Sequence, residues 1–131
     1  MGFLAVVVAA VAGFITGAVW YISLSGPWLR ATGLELNAEG KPVKSTGMVP
    51  FVISGIAMLL VAGMMRHIFA MAAIDTPVKG LVAGLGIGAF FITPWVAMNY
   101  AYAMRDMRLA VIDNGYSIIG CGVIGLVLGL F

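Results

Sequence analysis

Residues 80–104 read GLVAGLGIGAFFITPWVAMNYAYAM. No Asp, Glu, Lys or Arg interrupts the run, and it is long enough for a helix that crosses a hydrocarbon core about 30 Å thick. Three further stretches are equally free of charge: Met1 to Leu29, Ser45 to Met65 and Asn114 to Phe131. Together they predict an all-α membrane protein, a four-transmembrane-helix bundle with spans at about 3–24, 48–69, 78–104 and 109–131. β-Barrel strands would instead show alternating polarity with frequent turn signals.

The bulk composition agrees. Hydrophobic residues make up 63% of the 131 positions and charged residues 9%, against about 25% charged in an ordinary soluble domain. Mean hydropathy is +1.12. The chain reads as one transmembrane domain over 1–131, and Phe3 to Leu24, without a basic leader, reads as a retained helix. The net charge of +2 is too small and scattered for a nucleic-acid surface. The partners expected are the lipid bilayer and either a second copy or another subunit of a membrane complex.

Loop 25–47 is the only long polar segment. Gly26-Pro27-Trp28-Leu29-Arg30 has the composition of an interfacial anchor, with Pro27 ending the helix before it. Asn37-Ala38-Glu39-Gly40-Lys41-Pro42 reads as a solvated turn. Short connections at Asp75-Thr76-Pro77 and Arg105-Asp106-Met107-Arg108 predict two antiparallel hairpins. Arg30, Lys41, Lys44, Arg105 and Arg108 lie on the side of loops one and three, and Arg66 and Lys79 on the other. The positive-inside rule then gives a multi-pass protein of the cell inner (cytoplasmic) membrane, with loop 25–47 in the cytoplasm and both termini outside.

Chemistry is sparse. Cys121 is the only cysteine and His67 the only histidine, so an intrachain disulfide, a CxxC pair, a bis-His haem and a His-rich metal site are excluded within one chain. Ser54, Ser117 and Cys121 have no histidine nearby in sequence. No catalytic residue, metal site or cofactor is expected, and the chain reads as a non-enzyme. Arg66 and His67 read as interfacial anchors.

Thirteen of the eighteen glycines fall inside the four spans. Glycine weakens a helix but lets backbones approach closely in lipid. Gly13 and Gly17, then Gly80, Gly84 and Gly88, then Cys121, Gly125 and Gly129, form small-residue ridges. They serve either packing within one bundle or, as an addition, a homo-oligomeric interface. Val11-Ala12-Gly13 with Gly17-Ala18 matches Val82-Ala83-Gly84 with Gly88-Ala89, which reads either as a parallel duplication or as shared composition.

One carboxylate, Asp113, falls inside a span. Asn99 and Asp113 lie equally far in sequence from Asp106, so an antiparallel hairpin puts them at similar depth. Tyr116 shares a helix face with Asp113 and Trp95 with Asn99, and Trp20 and Tyr21 end the first span at the same side. These six residues form a candidate polar cluster. In one reading Asp113 pairs with Arg105, Arg108 or Asn99 and locks the hairpin. In the other it belongs to a polar pocket or a proton-accepting site on a permeation path. Pro94 is expected to kink the third helix and free a carbonyl near Phe90, which Thr93 can partly satisfy. Arg105 and Arg108 also flank a groove that could meet anionic lipid.

Two segments resemble a prokaryote-rich membrane family catalogued as domain of unknown function 1761. The first is Gly13-Phe14-Ile15-Thr16-Gly17-Ala18-Val19-Trp20-Tyr21 with Gly26, Trp28 and Gly33. The second runs from Gly80 through Thr93-Pro94 and Asn99-Tyr100 to Ile112-Asp113-Asn114-Gly115-Tyr116 and Gly125. After Tyr21 the family pattern has Ser-Pro followed by Phe-Gly, where this chain has Ile22-Ser23-Leu24-Ser25-Gly26-Pro27. The resemblance implies a small four-helix membrane protein and carries no activity. Two functions follow as expectations. One is a non-enzymatic accessory or assembly protein, a homo-oligomer or subunit packing through its glycine-rich helices. The alternative is a small-solute or proton permeation pathway that uses Asp113.

Overall fold

A computed structural model describes residues 2–43 and 47–131; Lys44, counted above in the charge bias, lies outside the described residues. Helix α1 spans Gly2–Ser23, α2 Ser25–Thr32, α3 Val49–Met71, α4 Pro77–Ile87, α5 Thr93–Tyr102 and α6 Met107–Gly129. A single π turn, Gly88–Ile92, joins α4 to α5 in one continuous rod. Four helical stretches are long and apolar enough to cross a membrane: α1, α3, the α4–α5 rod and α6.

The bundle is built around α6, which packs against α1 on one side and the α4–α5 rod on the other; α3 lies mainly against α1. Residue pairings give the directions. Gly80 meets Gly125, Gly84 meets Cys121, and Gly88 meets Ser117, so the rod runs antiparallel to α6. Gly13 meets Ile124 and Gly17 meets Tyr116, so α1 also runs antiparallel to α6.

The core is made of small residues. Ala5, Ala9, Ala10 and Ala62 are buried with Met65, Phe69, Cys121, Ile124 and Leu128. Many large side chains point outward: Phe3, Leu60, Val82 and Phe90 are all exposed. That inversion suits a bilayer, where exposing an apolar side chain to lipid carries no penalty and close backbone packing supplies the attraction. All seven ridge glycines face neighbouring helices of the same chain. A methyl on Gly80, Gly84, Gly88 or Gly125 would overlap backbone atoms of the facing helix, and one on Gly129 would overlap Thr76.

Two features differ from the sequence expectation. Residues 25–32 are helical, and Pro27 does not break them. It sits in the first turn of α2, where a missing N–H removes no intrahelical bond. The chain bends at Leu24 instead, and the Leu24 N–H still reaches the Trp20 carbonyl (3.0 Å). The third span is not one uniform helix to residue 104. Its π turn precedes Pro94, and α5 ends at Tyr102. Met104 then adopts a left-handed backbone (φ 54°), and the Arg105 N–H closes back on the Tyr100 carbonyl (2.9 Å). Asp106 starts α6 by accepting from the Arg108 N–H (2.8 Å). The solvated turn forms around Asn37, whose side chain accepts from the Glu39 and Lys41 N–H groups.

Candidate functional site

At the end of the bundle that carries loop 25–47, α1 finishes against the first third of α6. Asp113 sits there, half-buried, and both of its carboxylate oxygens are taken by phenols. The Tyr21 hydroxyl donates to Oδ1 (2.6 Å) and the Tyr100 hydroxyl to Oδ2 (2.5 Å). Neither oxygen is paired with a cation: among the described residues the ion pairs are Lys79–Asp75 and Arg108–Asp106. The expected lock through Arg105, Arg108 or Asn99 is therefore replaced by a Tyr–Asp–Tyr clamp, which ties α1, α5 and α6 together. Hydrogen bonds to a charged acceptor are the stronger kind, so two phenols are a fitting substitute for a counter-ion in a region poor in water.

The neighbouring aromatics are anchored in turn. The Trp20 indole N–H donates to the Ile112 carbonyl (2.9 Å). The Tyr116 hydroxyl donates to the Gly13 carbonyl (2.9 Å) and lies 3.4 Å from the Met58 sulfur. These contacts depend on Gly17 and Gly115, because a methyl at Gly17 would fall 2.7 Å from the Tyr116 ring, while one at Gly115 would run into the Trp20 indole. The Tyr21 ring stands edge-on to Tyr116 (5.6 Å between centroids, 77°) and to Trp28 (6.2 Å, 78°). On the outer side, the Arg105 guanidinium lies 5.5 Å from the centre of the Tyr100 ring.

Four of the six expected cluster residues converge: Asp113, Tyr116, Trp20 and Tyr21. Trp95 and Asn99 do not. Trp95 is 67% exposed, Asn99 is exposed, and the position expected for Asn99 is filled by Tyr100. The cause is the π turn. An uninterrupted α-helix carries the face of Gly80, Gly84 and Gly88 on through 95 and 99. A π turn inserts one extra residue without a matching advance of the face, which moves the α6-facing positions on to 93 and 100. Thr93 shows the shift directly. Its N–H bonds the Gly88 carbonyl five residues back, its hydroxyl donates to the same carbonyl (2.7 Å), and its own carbonyl accepts from the Asn114 side chain (3.4 Å). Thr93 therefore serves Gly88 and not the carbonyl near Phe90. Sequence reasoning also passed over Asn114, a buried amide whose Oδ1 has no hydrogen-bond partner among the described residues. The signal for Tyr100 was available in Gly88 and Pro94, which bracket a place where a helix can widen.

Beside Asp113, a cleft of about 690 Å³ opens between α1, α2, α3 and α6. Tyr21, Trp28, Phe14, Phe51 and Tyr116 form its aromatic walls, with Ser25 and Ser54 at its rim. Phe14 and Phe51 also border a second, wholly apolar trough of about 410 Å³ that follows the α1–α3 seam.

The fold and site thus define a small multi-pass helical membrane protein in which a carboxylate on the last candidate span is held by tyrosines. The family model described as Protein of unknown function (DUF1761) matches residues 4–129, and the chain belongs to that family. No curated protein and no solved structure matches the chain.

Proposed function

We propose that the chain is a non-enzymatic membrane protein that binds a small solute in the cleft beside Asp113, as the entry to a permeation route. The observation that supports this reading is the coincidence of the carboxylate with the cleft. Asp113, Tyr21 and Tyr116 line a space of about 690 Å³, within the range of roughly 300–1,000 Å³ that small-molecule sites occupy. A carboxylate serving only as a lock has no need of an open space beside it. The reading is non-catalytic because, among the described residues, neither Ser117 nor Cys121 has a base at hand. The Ser117 hydroxyl donates to the Asp113 backbone carbonyl (3.2 Å), and Cys121 is buried in the core. With positive residues favouring the cytoplasm, the cleft opens toward the inner leaflet of the cell membrane and both termini lie outside.

The accessory-subunit or homo-oligomer reading, placed first on the sequence alone, moves to second. Its sequence support included the surplus of glycines, and the seven ridge glycines meet their own chain, while Gly55 and Gly86 face open space. What favours it now is α3, whose outer face of Ile53, Leu60 and Met64 is exposed and suits lipid or a partner helix equally.

Native mass spectrometry on protein extracted gently from its own membrane tests both. The expected spectrum has the chain carrying a small-molecule mass that Ser54→Trp, which fills the cleft from its rim, lacks. The same small-molecule content in both proteins contradicts the binding site, and a second polypeptide at fixed ratio favours the subunit reading.

A further inference from the structure

The chemistry of the cleft narrows the ligand class. Among the described residues its one charged lining side chain is the Asp113 carboxylate, and no Lys or Arg pairs with it. Each carboxylate oxygen has lone-pair capacity beyond the single phenol it accepts. An anionic ligand would meet like charge here with no cation beside it, and a neutral one would gain no charge attraction.

The walls point the same way. Tyr21 stands at nearly a right angle to both Tyr116 and Trp28, so three rings turn corners around one space next to the carboxylate. Aromatic faces attract cations through the ring quadrupole, and cages of such rings recognise organic ammonium groups. Phe14 and Phe51 also border the α1–α3 trough, whose apolar side chains offer hydrocarbon contact. Charge at one end, aromatic corners around it and an apolar track leading away together describe a complement to an amphiphile.

From this juxtaposition we infer that the Asp113 cleft binds lipophilic organic cations, molecules with an ammonium or phosphonium centre on an apolar body. The inference rests on the binding-site reading above and names the ligand class of that site. The cation sits among Tyr21, Trp28 and Tyr116 within reach of Asp113, and its apolar body follows the trough past Phe51. Entry is lateral, from the bilayer, where such molecules concentrate.

Two probes of one shape and opposite charge test it: tetraphenylphosphonium and tetraphenylborate, titrated against the purified full chain in nanodiscs, with tryptophan fluorescence and equilibrium dialysis as readouts. The expected result is saturable tetraphenylphosphonium binding. It weakens at least about tenfold in Asp113→Asn, is lost in Ser54→Trp, and weakens about threefold or more in Trp28→Ala, which keeps the carboxylate and removes one wall. Tetraphenylborate is expected to bind more weakly than the cation. If the borate binds as well as the phosphonium and Ser54→Trp blocks both, the cation inference is overturned and the binding site stands. If Ser54→Trp changes neither, both fall. Should Asp113→Asn fail to fold, Trp28→Ala decides: unchanged phosphonium affinity in that variant overturns the aromatic cage.

Discussion

Helix α6 is flanked by glycines on two sides, and the sides differ in what those glycines meet. Toward the α4–α5 rod, Gly80, Gly84 and Gly88 press on the backbone of Gly125, Cys121 and Ser117. Toward α1, Gly13 and Gly17 press on side chains, Ile124 and the Tyr116 ring. Both pairs belong to the segment that looks duplicated in the sequence, Gly13/Gly17 and Gly84/Gly88. One seam is backbone on backbone along Gly80, Gly84 and Gly88, with no space left for a side chain there. The other has traded contact area for aromatic rings, a carboxylate and a cleft. Rigidity lies on one side of α6 and chemistry on the other.

The largest expected effect breaks the first seam. In Gly84→Ile the side chain would overlap the Cys121 carbonyl, and backbone cannot step aside as a side chain can. A cost of more than about 3 kcal/mol is expected, read as loss of monodisperse protein after extraction. Next come the two phenols of the clamp, Tyr21 on α1 and Tyr100 on α5. Tyr21→Phe and Tyr100→Phe each remove one donor to Asp113 and should each cost about 1.5–3 kcal/mol, measured by unfolding in mixed micelles. If Tyr100→Phe is silent, the clamp does not span α5. Gly17→Ala should be milder than Gly84→Ile, about 1 kcal/mol, because the far end of the Tyr116 ring can shift where the Cys121 carbonyl cannot. Equal effects at Gly17 and Gly84 would erase the contrast between the seams.

Smaller still are Trp95→Ala and Asn99→Ala, each expected within about 0.5 kcal/mol because these side chains face outward. The least is at Asp106. Hydrogen bonds from Arg108 hold its carboxyl below the usual carboxylate range. Its contribution is therefore complete at neutral pH and is lost as the pH falls through the ordinary carboxylate value, about 4, and past the lowered one. A melting series from pH 7 to 3 should show this step in the wild type and not in Asp106→Asn.

The sequence pattern located the spans well because absence of charge is a strong signal over long stretches. The expected 3–24, 48–69, 78–104 and 109–131 lie within about two residues of α1, α3, the α4–α5 rod and α6 at every end. Depth was also legible: Trp20, Tyr21, Asp113 and Tyr116 meet at one end of the bundle. Face was not. Asn99 lies at the right depth on the wrong side, because one extra residue in the Gly88–Ile92 turn rotates everything after it. A hydrophobic span gives no amphipathic stripe by which such a rotation can be read. Helix α2 was hidden for a different reason: Gly26-Pro27 is a common breaker, yet in a first helical turn it is compatible with the helix. The glycines were legible as contact surfaces, while their partners required the fold.

The most direct measurement is made on Asp113→Asn, which keeps shape and an acceptor oxygen while removing the charge. Native mass spectrometry and thermal unfolding are run on the same preparation. A folded chain with a modestly lowered melting temperature, stripped of the small-molecule mass the wild type carries, is the predicted result. A variant that folds and keeps the same small-molecule mass would place the ligand elsewhere and contradict the assignment of chemistry to the α1 side of α6.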